Sequence, residues 1–269
     1  LLQCMAWVAN GTVCRLFSEW RDAPPAWAGG LHVPPHTYSE EAGWELPESG
    51  SSVRKDPSGA ATGQGTASER RELYFRTTLP LLRPEDCPEP VAGVDVFTAA
   101  EGRCQWCGRQ LVSLLELDLT CHALSFVQWD AAQLRVAACD VCAMYGTVFS
   151  RSDAAGASRW HPRNVRPPYL PDGAAQWAPL PQRPLVLTGT HRHHMQSAVW
   201  TVPGALFSQV GGLPTWIGDA EYPHCPDCGR TMVFLGQISN EEYDHTREGI
   251  FHCFICSGCR VTAASYQQS

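Results

Sequence analysis

Beyond residue 73 the hydrophobic positions recur mostly with a period of two. Leu115, Leu117 and Leu119 alternate with Glu116 and Asp118, and similar short runs at 94–97, 124–127 and 134–136 are set off by Pro, Gly and polar residues. Alternation of this kind turns one face to a core and the other to solvent, and it predicts short strands. The beginning of the chain differs. Leu1, Cys4, Met5 and Val8 fall at i, i+3, i+4 and i+7, one face of a helix, and Asn10-Gly11 offers a stop. The pattern predicts a mainly β protein with a short helical N-terminal segment.

Punctuation divides the chain further. Residues 1–46 form the helical segment, broken by Pro24-Pro25, Gly29-Gly30 and Pro34-Pro35. Residues 47–72 are nearly devoid of apolar side chains and read as a flexible linker. Two β units are expected after it, at 73–170 and 171–269. The proline-punctuated stretch from Arg163 to Pro184 should cross between them in extended form.

Cysteines supply the candidate chemistry. Cys104-Gln-Trp-Cys107-Gly-Arg and Cys225-Pro-Asp-Cys228-Gly-Arg are copies of one signature 121 residues apart, answered by Cys139/Cys142 and Cys256/Cys259 across 31 and 27 intervening residues. Four thiolates in two knuckles on a folded-back ribbon suit a tetrahedral Cys4 zinc site, so two structural zinc ions are expected. The repeat continues in the apolar residues that follow, Leu111 with Met232, Val112 with Val233, Leu114 with Leu235, and Leu117 with Ile238. Gly108 and Gly229 suit a left-handed turn around a metal, and Arg109 and Arg230 can offset thiolate charge. Disulfides are the duller reading, but a chain of 269 residues with 44% hydrophobic content does not need them to hold a core. Redox Cys-x-x-Cys pairs belong at helix N-termini, whereas these flanks read as strand.

Cys4, Cys14, Cys87, Cys121 and Cys253 remain. Cys253-Phe-Ile-Cys256 has knuckle spacing of its own, but on a strand Cys253 and Cys256 point to opposite faces, so Cys256/Cys259 is the expected pair. The others read as buried small hydrophobes. So many unpaired thiols suit a reducing cytoplasm.

A formal charge of −7 disfavours nucleic-acid phosphate as the partner, and Zn(Cys)4 units would add negative charge. Lys55 is the sole lysine beside nineteen arginines, which reads as compositional bias. No run approaches the roughly 18 apolar residues of a membrane span. No His-x-Glu, His-Glu-x-x-His, P-loop or Gly-x-Ser-x-Gly pattern occurs, so no enzyme is expected.

Three stretches remain as candidate contact or binding sites. Arg159-Trp160-His-Pro-Arg163-Asn-Val-Arg166 is basic and aromatic. It reads as an RNA or ligand contact, or, more simply, as a surface loop anchored by Trp160. His191-Arg-His193-His194 offers metal ligands or a solvated turn, and the turn is favoured. Phe207-Ser-Gln-Val-Gly211-Gly212-Leu-Pro214-Thr-Trp216-Ile leads into Cys225. Its glycines permit a tight turn and Trp216 carries a large apolar surface.

This Gly-Gly-x-Pro-x-Trp element running into Cys-Pro-x-Cys-Gly-Arg resembles the proteins related to programmed cell death protein 2 and the bacterial YwqG-like family. The resemblance covers about residues 200–269. It implies a chaperone-like role toward a ribosomal protein, or a part in toxin immunity. The expectation is therefore a non-enzymatic zinc protein that binds another protein, with nucleic-acid binding or an unrecognised enzyme as alternatives. The contact surface is expected around Trp200, Phe207, Gly211, Gly212, Trp216 and the loop carrying Arg159 and Trp160, in a groove between the ribbons. For any one of these aromatics, core packing is the simpler reading.

Overall fold

The computed structural model describes residues 1–47, 70–173, 176, 180, 183–198, 208–240 and 248–269. They form two compact units, Leu1–Leu73 and Tyr74–Ser269. Most of the linker expected at 47–72 lies outside the described residues, as do Trp200 and Phe207.

In the first unit, α1 (Leu2–Val8) ends at Ala9 in the left-handed conformation, and Asn10 caps α2 (Gly11–Asp22) by accepting from the Val13 N–H at 3.0 Å. The helix is where the periodicity put it, but its inner face is not the expected one. Ala6 is the buried residue, with Leu2 and Met5 partly covered, whereas Leu1, Cys4 and Val8 are exposed. The reason is Trp44, which closes on α1 from the side of Ala6, donating from Nε1 to the Ala6 carbonyl at 2.8 Å and stacking on Phe17. A short α3 (Tyr38–Glu41) precedes the two-residue strands β1 (Trp44–Glu45) and β2 (Arg71–Glu72), which pair with each other.

The second unit is one antiparallel sheet. Its strands are β3 (Thr78–Leu82), β4 (Pro90–Val96), β5 (Thr98–Arg103), β6 (Gln110–Asp118), β7 (Gln133–Ala138), β8 (Val148–Ser152), β9 (Ser158–Trp160), β10 (Arg183–Thr188), β11 (Gln209–Gly211), β12 (Val233–Ser239), β13 (Ile250–Cys256) and β14 (Val261–Gln267). β4 and β5 are two arms of one bent strand. Phe97 between them takes φ 53°, and both arms pair with β6. The order is then β7, β6, β4/β5, β10, β3, β11, β12, β13, β14, β8, β9. The sheet curls until β8 and β9 lie against β7, so it nearly closes as a barrel. Alternate residues such as Leu79, Leu81, Val94, Val96, Leu134, Val136, Leu185 and Leu187 fill its interior. Each such side chain contributes about 1.5–3 kcal/mol on burial.

The two expected β units, 73–170 and 171–269, are interleaved in this sheet. β3 pairs with β11 of the later half, and β10 pairs with β4 of the earlier half. Pro80 in β3 stands opposite Gln209, while Pro184 in β10 stands opposite Asp95. Gln209 and Asp95 in turn face Gln237 and Glu116, which occupy the same place in the cysteine repeat. The halves are thus related position by position and have exchanged one strand. β8 and β14, the strands that follow each second knuckle, also pair with each other.

Candidate metal centres

Each first knuckle is closed by the same two backbone bonds. The Cys104 N–H donates to the Arg109 carbonyl and the Gly108 N–H to the Cys104 carbonyl, both at 2.8 Å. The Cys225 N–H to Arg230 and the Gly229 N–H to Cys225 repeat both distances. Gly108 and Gly229 take φ 80° and 73°, the left-handed conformation that this turn demands. The strands leaving the knuckles, β6 and β12, pair with β7 and β13 in matching register. Val112 faces Ala138 and Val233 faces Ile255, each the residue before the third cysteine. Both hairpins carry a β-bulge at the same place, at Leu114 and at Leu235. Burial repeats too, since Leu111, Leu114 and Leu117 are fully covered and so are Met232, Leu235 and Ile238.

This geometry brings together the sulfurs of Cys104, Cys107, Cys139 and Cys142, and separately those of Cys225, Cys228, Cys256 and Cys259. Within each group all Sγ atoms lie within 4.8 Å of one another. Cys104 and Cys142 are 3.6 Å apart, Cys107 and Cys139 3.6 Å, and Cys228 and Cys256 3.8 Å. A tetrahedral ion with Zn–S bonds of about 2.3 Å needs sulfurs about 3.8 Å apart, so both groups fit and could each hold a metal ion such as zinc. None of these cysteines is in a disulfide.

The first centre is the more enclosed, for Cys104, Cys139 and Cys142 are buried whereas Cys228 is exposed. Hydrogen bonds from Cys139 and Cys142 hold the Cys104 thiol down at about 4. At the second centre burial pushes Cys228 up, but the backbone and side chain of Arg230 outweigh it and bring the thiol to about 7. Arg109, expected to offset the thiolates of the first centre, is instead engaged with a carboxylate. It forms an ion pair with the buried Asp140 at 3.3 Å, whose carboxyl burial raises and Arg109 lowers.

Cys253 belongs to neither group. It faces the barrel interior from β13, fully buried, and burial pushes its thiol up to about 12. Cys14 and Cys87 are buried, Cys121 is half-buried and Cys4 is exposed. The histidines 191, 193 and 194 form no metal cluster among the described residues. His193 stacks on His194, which stacks on Tyr74.

The basic cluster ties the two centres together. Arg163 donates to the carbonyl of Pro226, inside the second site's first knuckle, and lies 3.9 Å from Asp227 in that turn. Arg166 donates to the carbonyl of Trp106 in the first site's knuckle, and also to the Leu170 carbonyl and Asp172 at 3.1 Å. Between them, Asn164 bonds both the N–H and the carbonyl of Phe149 at 2.8 Å, fastening the loop to β8. Trp160 is half-buried and edge-on to Trp106 at 5.2 Å, while Arg159 is exposed. Sequence spacing did not reveal this strap, because its partners are carbonyls distant along the chain.

In the Gly-Gly-x-Pro-x-Trp element Gly211, Gly212 and Trp216, expected on a contact surface, are buried. Trp216 is only 8% exposed and packs against Tyr222, His252 and Phe254 on the outer face of β12 and β13. Gly211 and Gly212 are buried with φ 71° and 72°, and a Cβ on Gly211 would come within 2.0 Å of the Thr77 carbonyl oxygen. Beneath the loop a row of buried polar residues crosses four strands, Gln209, Gln237, His252 and Ser265. Gln237 accepts from the Thr215 N–H at 2.8 Å and donates to its Oγ1 at 2.9 Å, and His252 bonds its carbonyl at 3.0 Å. The element is a structural cover whose main chain is satisfied by this row.

Among the described residues no helix is long and apolar enough to cross a membrane. No family model matches the chain, and no solved structure does. The chain is similar to the uncharacterized protein YpfL of Salmonella typhimurium strain LT2, with 34% identity over 271 residues. The similarity takes in the whole of this chain and 58% of that relative's length.

Proposed function

We propose that the protein is a non-enzymatic binding module, working in a reducing compartment, whose barrel carries two structural zinc ions and whose partner is another protein. Cys104, Cys107, Cys139 and Cys142 would hold one ion, and Cys225, Cys228, Cys256 and Cys259 the other. With four protein sulfurs the coordination is closed, so each ion would contribute folding free energy and no open position for chemistry.

The observation that carries the binding reading is the strap between the centres. Val165 is 83% exposed and Tyr169 68% exposed on a loop pinned by Asn164, Arg163 and Arg166. Large apolar side chains kept in water on a fixed backbone lose little further freedom on binding. The resemblance to the proteins related to programmed cell death protein 2 agrees with a chaperone-like role. Arg163 and Arg166 are engaged with carbonyls and carboxylates, which leaves them poorly placed to grip nucleic-acid phosphate.

Elemental analysis of the purified chain should find two zinc ions. The variant carrying Val165→Asp and Tyr169→Asp should keep both and lose the protein that the wild type captures from its native host. Absence of zinc would overturn the metal reading. Unchanged capture by the doubly substituted protein would overturn the strap as the contact surface.

A further inference from the structure

The halves differ most in what covers the outer face of their hairpins. In the second half that face is floored by Phe234, Gln237, His252 and Phe254, and Thr215 and Trp216 lie on it. The same positions in the first half are Ser113, Glu116, Arg135 and Ala137. Phe97 bends the chain where Gly211 does, with φ 53° against 71°. From that bend to the first cysteine, however, the connection is half as long as in the second half. It runs straight into β5, and no residue of it takes the place of Thr215 and Trp216.

A cavity of about 220 Å³ is left over this floor, walled by β5 and by Ala157 and Ser158 of the β8–β9 hairpin. Ser158 is 5% exposed, and its Oγ and the Oγ1 of Thr98 are buried without a hydrogen-bond partner. Both residues line the cavity, so their hydroxyls are available to a bound group. Polarity on the floor follows the second half. Gln237 accepts an N–H and His252 bonds a carbonyl there. Glu116, paired with Arg135 at 2.7 Å through Oε1, offers an acceptor, and Arg135 offers donors.

We propose that this cavity binds a short stretch of peptide main chain with small side chains, supplied by another protein. It would lie where Thr215 lies in the second half, its N–H directed to Glu116, its carbonyl to Arg135, and the hydroxyls of Thr98 and Ser158 completing its bonds. The small residues Ser113 and Ala137, in place of Phe234 and Phe254, make the room. This deepens and rests on the protein-binding reading above, while using a face other than the strap.

The test is a titration of the whole chain with N-acetyl-threonine N-methylamide, followed by amide NMR, with free threonine as the second probe. Saturable shifts are expected at 98–101, 113–116 and 135–137 with the capped residue. Arg135→Met should weaken its binding at least about tenfold, as loss of a charge-assisted hydrogen bond does. Ser113→Phe, which restores the bulk of the second half, should abolish it, and if that variant does not fold the Arg135 variant carries the test. No saturable shift at those amides, equal affinity in a folded Arg135→Met variant, or binding of free threonine alone would each overturn the proposal. Partner capture through Val165 and Tyr169 would be untouched by such a failure, so the two readings fall separately.

Discussion

Leu114 and Leu235 are one residue written twice: each is the unpaired position of a β-bulge just beyond its cysteine knuckle, and each is fully buried. Bulges bend the hairpins and aim these side chains inward, and both join the same core. Leu114→Ala and Leu235→Ala should therefore each cost about 2–5 kcal/mol in urea unfolding, as large-to-small core changes do. A loss below about 1 kcal/mol in either would mean that the bulge is not a packing device.

The strap makes a prediction about metal retention. Arg166 holds the turn of the first centre and Arg163 that of the second. Outer-shell partners of metal ligands are commonly worth about tenfold or more in affinity. Arg166→Ala should speed zinc transfer to a chromophoric chelator from the first centre, and Arg163→Ala from the second. The centres can be told apart by pairing each change with Cys228→Ser or Cys107→Ser. Equal release rates in all four proteins would refute the assignment.

Gly211 has no alternative residue. At φ 71°, with the Thr77 carbonyl oxygen 2.0 Å from where a Cβ would stand, Gly211→Ala adds backbone strain to a clash that cannot be relieved by a rotamer. A loss above about 3 kcal/mol is expected, large enough to appear as insoluble protein. Gly93→Ala is the control, since a Cβ there meets nothing within 4 Å. Similar midpoints for the two variants in thermal unfolding would contradict the close approach.

His252 sets an acid limit. Complete burial pushes its imidazole from 6.5 down to about 4, against the raising effect of its bond to the Thr215 carbonyl. The folded state therefore refuses a proton that the unfolded chain accepts. This contribution is fully present above about pH 6.5 and is lost as pH falls toward 4, to a limit of about 3 kcal/mol. Thiolate protonation would act in the same direction. The comparison that isolates His252 is thus the slope of stability against pH in His252→Gln, which should be shallower than in the wild type between pH 6.5 and 4.5. Parallel slopes would exclude the histidine as the cause.

What the sequence disclosed was local. Knuckle spacing brought eight sulfurs into two groups, and the matched leucines after each knuckle foretold matching burial, because a metal turn and a period-two strand are set by near neighbours. Trp216 was the reverse case. Its large apolar surface suited contact as well as core, with core the simpler reading for any single aromatic, and the row under it, Gln237 and His252, is recognisable only once β12 and β13 are side by side. The α1 face was misjudged for a similar reason, since Trp44, far along the chain, selects Ala6. Nor does any periodicity record which strand pairs with which. The exchange of β3 and β10 is partly visible only in hindsight, in the shared Pro-Leu of Pro80-Leu81 and Pro184-Leu185.

That exchange governs how the molecule must be made. β4 has no neighbour on its outer side until residue 183 has been synthesised, and β8 waits for β14 at the end of the described sheet. Neither half can be cut free as a self-sufficient piece, and assembly is dominated by long-range pairings of the kind that slow folding. An edge left open for so much of synthesis is exposed to pairing with other chains, so the yield of native protein on refolding should fall as its concentration rises.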